Sequence, residues 1–401
     1  MEIHSTMATN EQLFPPPKRQ GLCAVVTGQV GIDKKPFLKA LQQYAAKQGR
    51  KITLCNVGDM MYAEAPDIVP GRILDLPRAR LDSLRRSVFK DIIVTRRREE
   101  FVVVNTHATF RWKHGLFPAY DQDQMEEIDA DLYITLVDNV DAIHERLIRQ
   151  HNVRHTLKDI LVWREEEMVV TKCLARSIRG HGHSYVLARG VDRDTVESLY
   201  RLLFEPQRKR IYPSFPMTHV MDMPDVLAEI DAFREVLADH FITFDPGDLD
   251  EKRLLFLAAG AIQAGKDSFT LEIHGRDVTF DAHEVSRIDT DIDGQIYARD
   301  FELIDQSDMI VSYIPEMPGG KPGLSSGVER ELQHAFEVTK EVYVVWKPRS
   351  EPSPFITETS TCVFKSVDET LQYFQKQGYI GDVQLRLPAA AATSRERGRS
   401  G

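Results

Sequence analysis

Cysteine is scarce in this sequence, and its positions form no metal-binding or disulfide pattern. The four cysteines among 401 residues, Cys23, Cys55, Cys173 and Cys362, have no CxxC spacing and no nearby histidines of zinc-site type. We expect reduced, mostly buried thiols in a cytoplasmic protein. Long apolar stretches are also missing, since no run of about 18 apolar residues occurs and no basic segment with an apolar stretch opens the chain. The sequence therefore predicts neither a membrane span nor a signal peptide.

An excess of positive charge is missing as well. Lys and Arg total 51 against 61 Asp and Glu, which gives a formal net charge of −10. Such a field repels polyanions, so we expect no long nucleic acid as a partner, whereas a local basic pocket can still take a small phosphate. Glycine and proline are too few, at 23 and 20, for a low-complexity chain. Only the polar, aperiodic ends at 1–20 and 387–401 are predicted to be disordered.

Short β-branched runs alternate with longer amphipathic stretches, which is typical of α/β architecture with parallel sheets. Continuous apolar runs at 101–104 and 132–137 suit strands that are buried on both faces. A basic stretch at 207–210, followed by a new strand-like segment, indicates a domain boundary. The sequence thus predicts two three-layer parallel-sheet domains, at 21–206 and 207–386, while the stretch from 248 to 300 shows no clear pattern.

A glycine-containing loop follows the first predicted strand. Residues 28–35 read GQVGIDKK between a strand and a helix, the setting in which G-x-x-x-x-G-K-[ST] binds phosphates through backbone N–H groups. Lys34 keeps the lysine position. However, Asp33 stands where the second glycine belongs, and Lys35 replaces the hydroxyl residue that holds Mg²⁺. The alternative interpretation is a strand-to-helix turn with incidental glycines.

Further segments extend this pattern, in the order VVTG at 25–28, NVGDMM at 56–61, VVVNTH at 102–107 and GLFP at 115–118. With them, the region from Leu22 to about Val186 resembles the archaeal-type adenylate kinases, a P-loop family. The resemblance implies a nucleotide site whose contacts include Gly28, Gly31, Lys34, Arg149 and Arg154.

The resemblance also shows a departure that bears on catalysis. Asn105 stands where the family has a carboxylate that helps to organise magnesium. Phosphoryl transfer depends on positioning and on stabilisation by Mg²⁺ and cations, so we expect little or no kinase activity. ATP with Mg²⁺ stays open as a ligand of this domain, which we interpret as binding or sensing a nucleotide.

In the second half, a strand, a loop and a helix again follow one another over 309–335. Such a loop lies at the carboxyl edge of a parallel sheet, where α/β proteins bind ligands. It ends in Ser325, Ser326 and Gly327, whose hydroxyl and N–H groups suit a phosphate or a sugar. Glu331, one turn into the helix, is expected to project over the same crevice.

This half contains three motifs: a strand at 211–212 with a loop at 214–218, RDFELIDQSD at 299–308, and GVERELQHA at 327–335. Together they resemble the nucleoside 2-deoxyribosyltransferase superfamily, which includes deoxynucleoside-monophosphate N-glycosidases. The resemblance covers 210 to about 375. It implies that Glu331 is the nucleophile, that Asp300 assists the leaving base and that Tyr212 holds the glutamate or the sugar. The implied substrate-binding residues are Ser214, Asp308, Ser325, Ser326 and Gly327.

For Asp308 the residues alone leave a second interpretation open, a strand-edge carboxylate that orders the loop. The motifs together predict a hydrolase that cleaves the N-glycosidic bond of a small nucleotide, or transfers the sugar, without a cofactor or a metal. Its partners would be a small-molecule nucleotide and further copies of the chain in a homo-oligomer, with no membrane. A nucleoside monophosphate kinase and a non-enzymatic nucleotide sensor are the two alternatives.

Overall fold

The computed structural model describes residues 21–112, 115–151, 155–190, 195–217 and 220–381. The predicted disordered ends, and the predicted domain limit at 386, lie outside the described residues. The chain folds into two units. The first runs to Glu205 and includes Gly247–Ala298, and the second comprises Pro206–Pro246 and the chain from Arg299 onward.

The predicted boundary between 206 and 207 lies one residue from the division after Glu205. The predicted second domain is continuous in sequence, however, whereas Gly247–Ala298 packs with the first unit. The physical reason is a buried ion pair: the Arg164 guanidinium donates to both carboxylate oxygens of Glu251, at 2.6 and 3.0 Å. The second unit is therefore built from two separate stretches of sequence.

The first unit is built on a parallel sheet flanked by helices. Its strands are β1 (Leu22–Thr27), β2 (Thr53–Asn56), β3 (Phe101–Asn105), β4 (Thr109–Trp112), β5 (Gly115–Pro118), β6 (Leu132–Val137) and β7 (Ser184–Ala188). Five of them form the parallel sheet, in the order β2-β3-β1-β6-β7, and β4 and β5 form a separate hairpin. Its helices are α1 (Lys34–Lys47), α2 (Val57–Glu64), α3 (Arg78–Arg98), α4 (Gln122–Ile128), α5 (Val140–Arg146), α6 (Leu157–Arg179) and α7 (Val196–Phe204).

The segment Gly247–Ala298 adds helices and a hairpin to this unit. Its elements are α9 (Lys252–Gln263), β10 (Ser268–Ile273), β11 (Arg276–Asp281), α10 (Ala282–Arg287) and the first part of α11 (Asp289–Asp305). The hairpin turn at His274 and Gly275 has positive φ angles of 50° and 73°, the backbone of a tight two-residue turn between antiparallel strands. The turn places His274 beside Arg146 of α5, with Nε2 3.3 Å from Nη2.

The second unit is built on another parallel sheet. Its strands are β8 (Arg210–Ser214), β9 (Ile242–Thr243), β12 (Met309–Ile314), β13 (Glu316–Met317), β14 (Lys321–Pro322), β15 (Glu341–Trp346) and β16 (Cys362–Phe364). Five of them form the sheet, in the order β16-β15-β12-β8-β9, and β13 and β14 form a short hairpin. Its helices are the end of α11, α8 (Pro224–His240), α12 (Ser326–Glu337), α13 (Pro354–Thr357) and α14 (Val367–Lys376).

The predicted α/β class with parallel sheets is confirmed for both units. The central strands β1, β6, β12 and β15 are buried at nearly every position. Since successive side chains of a strand point to opposite faces, this pattern requires that both faces of each sheet are covered. Among the described residues, no helix combines the length and apolar character that crossing a bilayer requires.

Candidate functional site

The glycine loop between β1 and α1 adopts a backbone that only its small residues fit well. Gly28 has a φ of 136°, and a Cβ atom there would lie 2.6 Å from the carbonyl oxygen of Leu136. Gly31 has a φ of 92°. Asp33, at the position of the missing glycine, is in the left-handed region with φ 58° and ψ 42°. Aspartate is one of the few other residues that enter this region, so the loop keeps the glycine conformation without the glycine.

The Asp33 carboxylate points at two arginines from distant parts of the first unit. Its Oδ2 lies 3.7 Å from Nε of Arg146 on α5 and 4.0 Å from Nη1 of Arg189, just after β7. The Gln150 amide also donates to it. An acidic side chain thus stands where two guanidinium groups converge on the loop.

Lys34 is folded onto the loop itself. Its Nζ donates to the carbonyl oxygen of Gly28 and lies 3.2 Å from Nδ1 of His107. Burial lowers the pKa of Lys34 to about 7, although the nearby Glu167 opposes this shift. Near neutral pH the ammonium form is therefore only partly populated, which weakens the side chain as a phosphate partner.

The two positions at which the P-loop family binds Mg²⁺ carry residues that do not suit the ion. Lys35 forms an ion pair with Asp59 on α2 at 2.7 Å, and Asn105 donates its Nδ2 hydrogen to Oδ1 of Asn56 at 2.9 Å. Mg²⁺ requires oxygen ligands, usually carboxylates and a hydroxyl beside the phosphates, and an ammonium and an amide donor do not meet this need. The residues present do not fit a Mg²⁺–ATP site of the P-loop type.

A fully buried carboxylate on α6 also restrains the loop. Glu167 accepts hydrogen bonds from the N–H groups of Gly28 and Ala108 and from both the N–H and the hydroxyl of Thr109, at 2.7 to 2.9 Å. These bonds tie the start of the loop to the segment after β3, and one loop N–H is no longer available for a phosphate.

A cavity of about 360 Å³ opens beside the loop within the first unit. Its wall includes the apolar side chains of Met61, Phe110 and Trp112 and the buried guanidinium of Arg85 from α3. Arg85 Nη2 donates to Asp82 at 2.9 Å, whereas its Nε and Nη1 have no hydrogen-bond partner within the described part of the chain. Buried polar groups normally have partners, so the N–H groups on these two nitrogens are available to a ligand acceptor at the wall of the cavity.

Not every predicted contact of the first unit meets this cavity. Gly31 and Lys34 line it, and Gly28 accepts from Lys34 beside it. Arg149 is half exposed, and its Nε donates to Glu145 one turn earlier at 2.8 Å. Arg154 lies outside the described residues.

In the second unit, the predicted catalytic residues come together. The hydroxyl of Tyr212 donates to Glu331 Oε1 at 2.9 Å, and that of Ser214 donates to Oε2 at 2.6 Å. Both donors are fully buried on β8. Ser312 of β12, which pairs with Ser214 in register, donates to the Ser214 hydroxyl at 3.3 Å. Each oxygen of the Glu331 carboxylate is therefore oriented by its own hydroxyl.

Asp300 reaches the same place from α11. The ring of Phe301 stacks on His334 of α12 with centroids 4.3 Å apart, which holds α11 beside the helix that carries Glu331. Burial raises the pKa of Asp300, while the hydrogen-bonded Arg299 opposes this shift. Two carboxyl groups thus share one partly buried site, and charge on one disfavours charge on the other.

Glu331 responds most strongly to this environment. Burial, followed by the charge of Asp300, raises its pKa to about 8, although the hydrogen bonds from Ser214 and Tyr212 act in the opposite direction. A carboxyl group with this pKa exchanges its proton near neutral pH, which is the range in which enzymes use acids and bases.

The serine and glycine residues before Glu331 form the start of α12. The Ser325 hydroxyl accepts a hydrogen bond from the N–H of Val328 at 3.2 Å, so it caps the helix. Ser326 and Gly327 are exposed in the first turn. The cap occupies one lone pair of the Ser325 oxygen and leaves its hydroxyl hydrogen available to a ligand.

Asp308 is not brought together with this group. It immediately precedes β12, and its carboxylate accepts from the backbone N–H and the guanidinium of Arg210, at 2.5 to 3.1 Å. Burial acts to raise its pKa, but the hydrogen bonds from Arg210 outweigh burial and lower the pKa. Arg210 opens β8, whereas Ser214 closes it, so Asp308 stands at the amino edge of the sheet. This position favours the structural interpretation of Asp308.

Sequence reasoning missed several residues of these sites. Arg189 and Glu167 contact the loop from segments more than 100 residues away in sequence, and His274 contacts Arg146 from a similar distance. No short motif surrounds these three residues. Ser312 lies in an apolar strand, MIVSYI, where a single polar residue in a buried run could have indicated its role.

Comparison with known proteins finds a family match within the first unit. Residues 27–162 match the family model described as an AAA domain. Among solved structures, the chain is similar to shikimate kinase from Bacteroides thetaiotaomicron, with 15% identity, a TM-score of 0.32 and coverage of 46% of this chain and 98% of that one. It is also similar to a gluconokinase from Sinorhizobium meliloti, with 14% identity, a TM-score of 0.28 and coverage of 47% and 92%.

The first unit therefore has a P-loop-type fold, as its parallel sheet, its loop conformation and the match over residues 27–162 agree. The matched residues end at 162 and do not reach the second unit. The resemblance of that unit to the deoxyribosyltransferases rests on its sequence motifs alone.

Proposed function

We propose that the second unit cleaves the N-glycosidic bond of a small nucleotide, with Glu331 as the nucleophile. The observation that carries this proposal is the carboxylate of Glu331 held between the hydroxyls of Tyr212 and Ser214, with Asp300 close enough to raise its pKa. Cleavage of such a bond builds positive charge on the sugar, which a carboxylate stabilises or traps.

The reaction divides between the two carboxyl groups. The Glu331 carboxylate forms a bond to the anomeric carbon while the bond from that carbon to the base nitrogen breaks, and Asp300 delivers its proton to the departing base. Water then attacks the glycosyl ester, gives a proton to the Asp300 carboxylate and releases the sugar with Glu331 restored. A second base in place of water would give transfer, and hydrolysis is the preferred outcome.

The first unit supplies nucleotide binding without efficient phosphoryl transfer. Its cavity is lined by apolar side chains and by Arg85, whose Nε and Nη1 lack a partner among the described residues. These donors suit a ligand that carries an anionic group. A nucleoside monophosphate has both an apolar-faced base and an anionic group. The donors beside the loop do not suit Mg²⁺, and the charge of Lys34 is weakened by burial, so turnover is expected to be slow or absent.

A nucleoside monophosphate kinase is the second candidate. It is favoured by the match of residues 27–162 to a P-loop family and by the retained Lys34. Under this function the second unit would bind a nucleotide without cleaving it.

One assay separates the two functions. The purified full chain is incubated with nucleoside and deoxynucleoside monophosphates, with and without Mg²⁺–ATP, and free base and phosphorylated products are separated by chromatography. Free base that is lost in Glu331→Ala but kept in Glu329→Ala supports the glycosidase, because Glu329 is an exposed residue on the same helix. Base release that survives Glu331→Ala would contradict it, and a diphosphate product would favour the kinase.

Binding to the first unit is tested separately. Arg85→Met keeps most of the side-chain volume and removes the buried charge, so the affinity for a nucleoside monophosphate should fall at least about tenfold. Arg86→Ala, an exposed neighbour paired with Asp123, should leave it unchanged. Equal affinities for the wild type and Arg85→Met would contradict binding at this cavity.

A further inference from the structure

The acidic residue of the glycine loop faces a cationic cluster that is already assembled. Arg146 is almost completely buried, with its Nε 3.7 Å from the Asp33 carboxylate, and Arg189 Nη1 lies 4.0 Å from the same oxygen. Arginine pairs of this kind recognise phosphate and carboxylate groups through their planar forks. Here the anion between them is part of the chain.

Both arginines are also fixed to the loop. Arg146 Nη1 donates to the carbonyl oxygen of Gly31 at 3.0 Å and to Asp138 at 2.7 Å. Arg189 Nη1 donates to the carbonyl oxygen of Ile32 at 3.0 Å. The two guanidinium groups therefore hold the residues just before Asp33, and their positions do not depend on a ligand.

The charges of this cluster balance without any bound anion. Asp33 and Asp138 carry the negative charges, and Arg146 and Arg189 the positive ones. His274 from the inserted hairpin adds no charge, because its Nε2 accepts from Arg146, and burial and that arginine lower its pKa. A phosphate brought to the arginines would therefore meet the Asp33 carboxylate as an uncompensated like charge.

We propose that the Asp33 carboxylate occupies the position of a ligand phosphate between Arg146 and Arg189, and that it thereby excludes polyphosphates from the first unit. The inference rests on the proposed nucleotide binding by this unit. It makes Asp33 a specificity-determining residue. A monophosphate reaches Arg85 in the cavity, whereas a triphosphate that extends along the loop is repelled by the Asp33 carboxylate.

The test compares Asp33→Asn and Asp33→Gly with the wild type in the full chain. Asparagine and glycine both accept the left-handed backbone at this position, so two independent variants can fold, and thermal unfolding monitors this. The probes are ATP and inorganic tripolyphosphate, measured by isothermal titration calorimetry. Asp123→Asn is the matched control, since Asp123 is an exposed carboxylate of the same unit that pairs with the exposed Arg86 instead of the two arginines beside Asp33.

Removal of the tethered carboxylate should increase the affinity for both probes at least about tenfold, because the cost of juxtaposed like charges is removed. The gain should disappear in Asp33→Asn/Arg189→Met and should be absent in Asp123→Asn. An equal gain in Asp123→Asn, tight tripolyphosphate binding by the wild type, or no gain in either Asp33 variant would overturn the proposal. Failure of the proposed nucleotide binding would instead appear as a monophosphate affinity that does not depend on Arg85.

Discussion

A carboxyl group placed beside a second carboxyl group in a partly buried site destabilises the folded chain when it ionises. Glu331 is in this situation, with a pKa of about 8 against an ordinary value of 4.5. Below pH 4.5 both the folded and the unfolded chain hold the proton, and the stabilising contribution is complete. As the pH rises toward 8, only the folded chain keeps the proton, so this contribution is progressively lost.

Glu331→Gln should therefore be more stable than the wild type at pH 8 and should show no base release. Glutamine keeps the shape of the side chain and cannot ionise, and the hydroxyls of Tyr212 and Ser214 can rotate to meet it. Because Glu331 is partly exposed, we expect a gain on the order of 1–2 kcal/mol in the free energy of unfolding. Urea unfolding at pH 5 and pH 8 checks this, since a gain that does not grow with pH would contradict the raised pKa.

The same proton determines the pH dependence of the proposed reaction. Attack requires ionised Glu331, so kcat/KM should rise with pH up to about 8.

Ser214→Ala should shift the rising limb of this profile to higher pH. The hydroxyl of Ser214 stabilises the charged form of Glu331, and its loss should move the limb by about 0.5–1 pH unit. Ser307→Ala provides the control, because that buried hydroxyl bonds to the carbonyl of Leu303 instead. A lower kcat/KM without a shift of the limb would mean that Ser214 contributes only to folding.

At the scale of elements, local signals account for what the sequence could predict. The strand, loop and helix expected over 309–335 are present as β12 (Met309–Ile314) and α12 (Ser326–Glu337), and α12 begins directly after its Ser325 cap. Helix α8 begins at Pro224, and proline favours the first turn of a helix.

The two candidate sites also differ in how far local sequence patterns predict them. Apart from Asp308, the residues that the motifs implied around Glu331 lie on β8, α11 and α12, each of which carries a recognisable local pattern. The two arginines beside Asp33 come from α5 and from the residue after β7, and the inserted hairpin contacts one of them, Arg146, through His274. Contacts between such distant segments follow from packing, and no local spacing in the sequence encodes them.

Among the charged contacts between the inserted segment and the rest of the first unit, one fully buried pair should contribute most to stability. Glu251 is fully buried and accepts two hydrogen bonds from Arg164 and one from the N–H of Val140. Glu251→Gln should reduce the free energy of unfolding by about 3–5 kcal/mol, because it leaves a buried guanidinium without its counter-charge. Asp291→Asn, which breaks an exposed pair with Lys158, should cost less than about 1 kcal/mol. Similar losses in urea unfolding would contradict this role of burial.

For the whole molecule, a net charge of −10 is compatible with a phosphate site because the arginines near that site are buried. Arg85, Arg146 and Arg164 are each at most 4% exposed. They act over short distances inside the first unit, and they do not create a basic surface that a long polyanion could use.

The discontinuous first unit leads to a prediction about truncation. A fragment of residues 21–205 lacks Glu251 and Gln295, which supply the acceptors of Arg164. It also lacks Leu254 and Val285, which are buried within the inserted segment. We expect the fragment to unfold at a lower temperature than the full chain, as followed by circular dichroism.

Arg164→Met should then change the stability of the fragment and that of the full chain in opposite directions. In the fragment it removes a buried charge that has lost its partner, and stability should increase. In the full chain it leaves the buried carboxylate of Glu251 without the positive charge of Arg164, and stability should decrease by about 3–5 kcal/mol. The same sign in both contexts would show that the inserted segment is not what compensates Arg164. A reversal would show that residues 247–298 belong energetically to the first unit, although they interrupt the sequence of the second.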